Sequence, residues 1–114
     1  MVVTVERHGY ATEQEALAAL AAKGFHTMKL DVPPVSNTSH WHSFDAEFVI
    51  LAGELAVTDI GSGEVLDCGA GCLVRVPART LHAERSGGGY SILLATSVPA
   101  DRFDDPVDRP PETL

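Results

Sequence analysis

The chain has 114 residues, of which 45% are hydrophobic and 21% are charged, and its formal net charge at pH 7 is −8. This size and composition fit one folded domain with a single core, and the acidic balance argues against binding to nucleic acid or to anionic membranes. No stretch reaches the roughly 20 apolar residues of a membrane-spanning helix, and the N-terminus lacks the pattern of a secretory signal, so a cytoplasmic location is the default expectation.

The first elements predicted along the chain are a strand and a short helix, both within residues 1–24. Residues 2–6, VVTVE, predict the strand because β-branched residues dominate them. Thr12 opens the helix, since TEQE fits a capping box in which Glu15 reaches back to the Thr12 amide. Gly24 stands at the usual position just after a helix end.

The segment from residue 25 to residue 97 predicts β-structure throughout. Short apolar runs alternate with turn signals that are rich in glycine and proline. This spacing favours an antiparallel sandwich or barrel. The predicted strands occupy 25–32, 47–52, 55–60, 64–68, 72–77 and 90–97. A break at Gly53 separates the second of these strands from the third. Cys68 and Cys72 are predicted to remain thiols, because a C-x3-C pair alone is a poor zinc signature.

Residues 98–114 differ in character from the rest of the chain. They contain four of the seven prolines and little apolar material, so they do not fit the interior of a sheet. We predict an extended, irregular tail that is rich in proline and aspartate and is docked by Phe103 and Val107. The predicted organisation is therefore one domain over 1–97, with the barrel in 25–97, followed by this tail.

Three of the five histidines stand out by their spacing. His40 and His42 are one residue apart, so on an extended strand both imidazoles point to the same face. Such a pair suits a divalent metal ion, although two surface histidines would give the same pattern. His82 follows a predicted strand end at Pro77, and a third ligand is what a metal site with an open position requires.

These residues resemble the two sequence motifs of the cupin family. The first motif is matched by His40, His42, Glu47 and Gly53, and the second by Gly71, Pro77 and His82. The resemblance covers roughly residues 25–97 and implies an all-β fold. That fold is an antiparallel cupin-type β-barrel (a double-stranded β-helix or jelly roll) with one short N-terminal helix and an irregular tail. It also implies one divalent metal ion (zinc, iron, nickel, manganese or copper) bound by His40, His42, Glu47 and His82.

The carboxylate of the first motif is out of register with the family pattern. Five residues separate Glu47 from Gly53, where the family has six. A slip of one residue would turn Glu47 to the other face of its strand, and a bulge between Phe44 and Glu47 would restore it. Three outcomes stay open: a site of three histidines and Glu47, a site of three histidines alone, and no metal site. Further departures from the motifs are Pro34, Arg79 and Ser86.

Four side chains are candidates for lining a small-molecule pocket near the metal: Phe44, Phe48, Met28 and Arg75. The two phenylalanines share the parity of the histidine pair along the strand and are apolar, as pocket walls commonly are. Arg75 lies between two valines and would bind a substrate carboxylate in bidentate fashion if it faced the interior. Core packing explains the two phenylalanines equally well, core filling is the default interpretation of Met28, and a solvated strand face is the favoured position of Arg75.

The resemblance implies a function in which a small organic molecule is bound at the metal. The ion would act as a Lewis acid or hold dioxygen, which leaves oxygenase, isomerase and decarboxylase activities open. The alternative is a non-enzymatic module that binds or senses a small molecule, with or without metal. A homodimer is also implied, through Trp41 or through an exposed edge strand within residues 2–6 or 90–97.

Overall fold

The computed structural model describes residues 2–114 and consists mainly of antiparallel strands. Its one α-helix, α1, is Glu13–Ala22. Two short 3-10 helices follow the last strand, at Ala100–Arg102 and Pro111–Thr113. Within residues 2–114 no helix has the length and apolar character to cross a membrane. The strands are β1 (Thr4–Glu6), β2 (His26–Val32), β3 (Val35–Ser36), β4 (Ala46–Asp59), β5 (Val65–Gly69), β6 (Leu73–Val76), β7 (His82–Ser86) and β8 (Tyr90–Thr96).

The strands form two antiparallel sheets that share β4. The first half of β4 lies between β6 and β8, which gives the order β1–β6–β4–β8–β2. The second half lies between β5 and β7, which gives the order β5–β4–β7–β3. The predicted all-β barrel of jelly-roll type is confirmed, although the strands do not close into a complete ring. Strand β7 was not predicted from the sequence.

The predicted break at Gly53 is wrong, because β4 is one strand of 14 residues. Its register shifts between Ile50 and Ala52, and Gly53 has a positive φ of 84°. A Cβ at Gly53 would collide with the carbonyl oxygen of Gly89 and would lie 2.8 Å from the Cα of Tyr90. Glycine therefore lets β4 bend from one sheet into the other while β8 passes against it.

Helix α1 begins as predicted and covers the outer face of the first sheet. Thr12 caps it, accepting a 3.1 Å hydrogen bond from the Glu15 amide, but the Glu15 carboxylate accepts from the Ala11 amide instead of the predicted Thr12 amide. The buried helical residues are Ala16 and Leu20, four positions apart on one face. They pack with apolar residues of β4, β6 and β8 in a cluster outside the barrel.

The barrel interior holds the larger core cluster, which includes Phe48, Ile50, Val57 and both cysteines. Cys68 and Cys72 are buried and free, as predicted. Burial raises the pKa of the Cys68 thiol to about 11, so this thiol stays protonated at neutral pH. Both cysteines therefore serve as small apolar core residues.

The C-terminal segment is docked more extensively than the sequence predicts. Residues 103–110, here called the C-terminal strap, run antiparallel to Trp41, and Trp41 and Arg109 exchange backbone hydrogen bonds of 3.0 and 2.9 Å. The Trp41 indole donates to the Pro110 carbonyl at 2.9 Å. Phe103 stacks on Phe44 with 4.5 Å between ring centroids, as its predicted docking role requires. Val107 is 37% exposed, and its contribution to docking stays a prediction.

Candidate metal centre

The three histidines singled out from the sequence converge at one point of the barrel. His82 opens β7, and its backbone pairs with that of His40 through hydrogen bonds of 2.9 and 3.0 Å. His42 lies two residues on, and the Arg79 amide donates to its carbonyl at 2.8 Å. One ring nitrogen from each histidine lies within 4.8 Å of the other two. The backbone hydrogen bonds thus hold the three imidazoles close to one another.

Hydrogen bonds to carbonyl groups fix the ring orientation of two of these histidines. The Nδ1 atom of His40 lies 2.8 Å from the Thr38 carbonyl oxygen, and the Nδ1 atom of His82 lies 2.8 Å from the Thr80 carbonyl oxygen. A carbonyl only accepts, so the neutral ring carries its proton on Nδ1 and leaves the Nε2 lone pair free. This is the arrangement that orients a histidine toward a metal ion.

Glu84, a residue that sequence reasoning missed, brings a carboxylate to the histidines. Its Oε1 atom lies 3.5 Å from Nε2 of His40 and 3.5 Å from Nε2 of His82, and its Oε2 accepts from the Tyr90 hydroxyl at 3.2 Å. Burial alone would raise the pKa of Glu84, but the contacts of its carboxylate with the imidazoles of His40 and His82 outweigh burial and hold that pKa well below its usual range. The signal in the sequence was the spacing of His82 and Glu84, which share one face once residues 82–86 form a strand.

Asp108 brings a second carboxylate from the C-terminal strap. Its Oδ1 atom lies 2.9 Å from Nε2 of His42 and 3.8 Å from Nε2 of His40. The hydrogen bond with His42 lowers the pKa of Asp108. For His40, burial lowers the pKa, but the contacts with Glu84, the Thr38 carbonyl and Asp108 outweigh burial, and the pKa is raised. Both carboxylates are therefore ionised beside the imidazoles at neutral pH.

Glu47, the ligand expected from the motif, does not join the histidines. Its carboxylate lies 3.1 Å from the Lys23 ammonium and 3.5 Å from Nε of Arg75. No bulge precedes it in β4, so Ala46 and Phe48 face the interior and Glu47 faces outward. The expectation that Glu47 is a metal ligand is therefore corrected: its one-residue offset from the family motif turns its side chain to the outer face of β4.

The four pocket candidates lie in four different places, and only Phe44 adjoins the histidines. Phe44 adjoins the site, since it stacks on His42 with 5.2 Å between centroids. Phe48 belongs to the barrel core, and Met28 is half-buried on β2 opposite Leu94. Arg75 has the solvated strand-face position, not the interior one that a pocket role requires, because its guanidinium pairs with Glu6 at 2.7 Å on the outer face. Alternation along β6 points its neighbouring valines inward instead.

The residues present fit a divalent cation. Neutral imidazoles and carboxylates are donors that zinc, manganese, iron, nickel and copper accept, and two ionised carboxylates offset a charge of +2. Metal bonds of about 2.0–2.2 Å place adjacent donors roughly 3.0–3.5 Å apart, close to the 3.5 Å from Glu84 to each of two histidines. The Nδ1 atom of His42 is also buried without a hydrogen-bond partner among the described residues.

We expect the metal-free protein to be most stable in mildly acidic solution. His40 has a raised folded pKa, so its contribution to stability is complete below the ordinary value of 6.5 and disappears as pH rises through the folded pKa. Glu84 has a lowered pKa, so its contribution is complete above 4.5 and disappears as pH falls through the folded pKa. In EDTA, the melting temperature should fall by about 2–8 °C between pH of about 5.5 and 8.5.

The control for this pH dependence is the same measurement with zinc. Zinc requires neutral imidazoles, so its stabilising effect should grow as pH rises through the same range. A protein that becomes more stable in EDTA as pH rises between these two values would contradict this expectation.

Comparison with known proteins supports the fold. A family model described as Cupin domain matches residues 27–93, a segment that contains the three histidines and Glu84 and ends before the C-terminal strap. No curated protein matches the chain.

Three solved structures illustrate the likeness. A protein of unknown function in the DUF861 family from Pseudomonas syringae pv. tomato is 18% identical, with a TM-score of 0.59; the match covers 63% of this chain and only 30% of that one. A DUF861 family protein from Thermotoga maritima is 16% identical, with a TM-score of 0.57 and coverage of 81% and 96%. Oxalate decarboxylase from Bacillus subtilis, described with Mn(II) centres, is 20% identical, with a TM-score of 0.58 and coverage of 75% and 23%. These identities support similarity of fold alone.

Proposed function

The chain belongs to the Cupin domain family, whose model matches more than half of it, and on this premise we propose that it binds one divalent metal ion and, at that ion, a small organic molecule. The observation that carries the proposal is the convergence of His40, His42 and His82 within 4.8 Å. When bound, the ion would supply Lewis-acid chemistry at an open position.

We propose His40, His42, His82 and Glu84 as the permanent ligand set. All four side chains belong to the barrel, and two of the imidazoles already present Nε2 toward the Glu84 carboxylate. Glu84 thus takes the role that the motif gives to Glu47. Three imidazoles and a carboxylate accept zinc, iron, manganese, nickel or copper, and Mn(II) is a natural first candidate because the similarly folded oxalate decarboxylase is described with Mn(II) centres.

The side chains around this ligand set suit a small molecule with an oxygen donor. The Tyr90 hydroxyl donates a hydrogen bond to the second oxygen of the Glu84 carboxylate. Burial and the Glu84 charge raise the pKa of Tyr90, so the phenol holds its proton at neutral pH and orients the carboxylate. Phe44 and Phe103 form an apolar wall beside His42. Phe44 is 5% exposed and stacked between His42 and Phe103, so an organic molecule bound at the metal would place its apolar part against the partly exposed Phe103 ring.

The ligand set is tested by replacing Glu84 and Glu47, one at a time, with glutamine. We expect Glu84→Gln to weaken zinc binding by about 10–100-fold, since changes at or near a metal ligand have effects of that size. Glu47→Gln removes the same charge on the outer face and should leave the affinity within about twofold, because the Glu47 carboxylate pairs with Lys23 and Arg75 and not with the histidines. Competition with a chromogenic chelator measures both affinities. A loss in Glu47→Gln with none in Glu84→Gln would show that the motif position, not the observed geometry, supplies the ligand.

The proposed homodimer has fewer available surfaces than the sequence suggested. Strand β8 is paired on both edges, with β2 and with β4, so residues 90–97 are not an edge strand. Trp41 is 4% exposed within a single chain because the C-terminal strap covers it. Of the surfaces predicted, only β1, which pairs on one edge with β6, is left for strand pairing between two copies.

A further inference from the structure

One carboxylate at the histidines comes from outside the barrel. Asp108 lies in the tail, beyond the segment matched by the family model, yet its Oδ1 atom lies 2.9 Å from Nε2 of His42 and 3.8 Å from Nε2 of His40. These distances are similar to those of Glu84, which lies 3.5 Å from two imidazoles. Asp108 therefore reaches the histidines from the tail, whereas Glu84 reaches them from strand β7 of the barrel.

The contacts of the strap hold Asp108 in this position. Arg109, its neighbour, exchanges two backbone hydrogen bonds with Trp41, and its guanidinium lies 4.9 Å from the centre of the indole ring. The same guanidinium pairs with Asp104 at 2.9 Å, which ties the strap to itself. Phe103 anchors the other end on Phe44. Backbone pairing on one side of Asp108 and aromatic stacking on the other fix its approach to the site.

Exposure distinguishes Asp108 from the barrel ligands. Its side chain is 60% exposed, whereas those of His40 and His82 are 6% and 2% exposed. The histidines are thus covered by a segment whose Asp108 side chain faces solvent. An exposed segment of this kind can open at a small cost in free energy compared with global unfolding.

We propose that the C-terminal strap is a metal-dependent closure of the site and that Asp108 is its metal-contacting carboxylate. This inference rests on the proposed function, because it requires an ion at the three histidines. A bound ion would hold Asp108 and so keep the strap closed, and release of Asp108 would open a coordination position to a small oxygen-donor molecule. With Asp108 and Glu84 both ionised, the closed site balances the charge of a divalent cation.

The test compares Asp108→Asn with Asp101→Asn, which makes the same charge change at an exposed position of the same tail. Zinc affinity is measured by chelator competition in the full-length chain. We expect Asp108→Asn to bind zinc at least about tenfold more weakly than the wild type, and Asp101→Asn to bind it as the wild type does. Because Trp41 is the single tryptophan and lies under the strap, its fluorescence reports strap closure on zinc addition in the same titration.

Hydrogen exchange at the Arg109 amide, which donates to Trp41, provides a readout separate from affinity. Zinc should slow this exchange in the wild type and in Asp101→Asn but not in Asp108→Asn. If the wild type binds zinc, His82→Ala does not, and the two aspartate variants behave alike, the strap inference is overturned while the metal site stands. If the wild type binds no divalent ion, the proposed function and the strap inference both fail.

Discussion

The His82→Ala variant is expected to bind zinc more than about 100-fold more weakly than the wild type. His82 is almost completely buried, and its Nδ1 is held on the Thr80 carbonyl so that Nε2 faces His40 and Glu84. Removing it deletes one of three imidazoles and leaves Glu84 without one of its two nitrogen neighbours. The loss should exceed the 10–100-fold effect of changing a residue that only supports a ligand. Competition with a chromogenic chelator gives the affinities.

Two further variants separate loss of the site from loss of the fold. His26→Ala removes an exposed imidazole from β2 and should keep the affinity of the wild type. His42→Ala removes a less buried member of the cluster, whose side chain is 15% exposed, so it should lose zinc while keeping the wild-type circular dichroism spectrum. Wild-type affinity in a folded His42→Ala protein would contradict the three-histidine site.

The Gly53→Ala variant is expected to be destabilised by about 3 kcal/mol or more. A left-handed conformation costs a non-glycine residue roughly 1–2 kcal/mol, and here the added methyl group would also meet the backbone of β8. Backbone cannot rotate away as a flexible side chain can, so β4 and β8 would have to separate where β4 passes from one sheet to the other. The free energy of unfolding in urea, with its m-value, measures the effect.

Gly63→Ala is the matched control for this substitution. Gly63 has a similar φ of 76°, but no heavy atom lies within 4 Å of a Cβ added there. It should therefore lose only about 1–2 kcal/mol, the cost of the backbone conformation itself. Equal losses of stability in the two variants would mean that the contact of the added methyl group with β8 costs nothing.

Local patterns predicted the elements whose signals are contained in a few neighbouring residues. The Thr12 cap and the Gly24 helix end depend on local conformation alone. The bent strand β4 was predicted as two strands because a glycine inside an apolar run is typical of both a break and a bend. Only the pairing of its two halves with different strands distinguishes these.

The histidines were predictable because their spacing along the chain survives into the fold, whereas the carboxylates were not. Glu47 was expected through family resemblance, and the strand's alternation turned it outward toward Lys23. Glu84 became visible only once residues 82–86 were known to form a strand. Asp108 depends on packing between the tail and Trp41, residues far apart in sequence, and no local pattern encodes such a contact.

The metal content of the protein, purified without a histidine tag, tests the central claim most directly. Elemental mass spectrometry should find close to one divalent ion per wild-type chain and none in His82→Ala. A wild-type protein that holds no ion, even after incubation with zinc, manganese, iron, nickel and copper followed by desalting, would contradict the account.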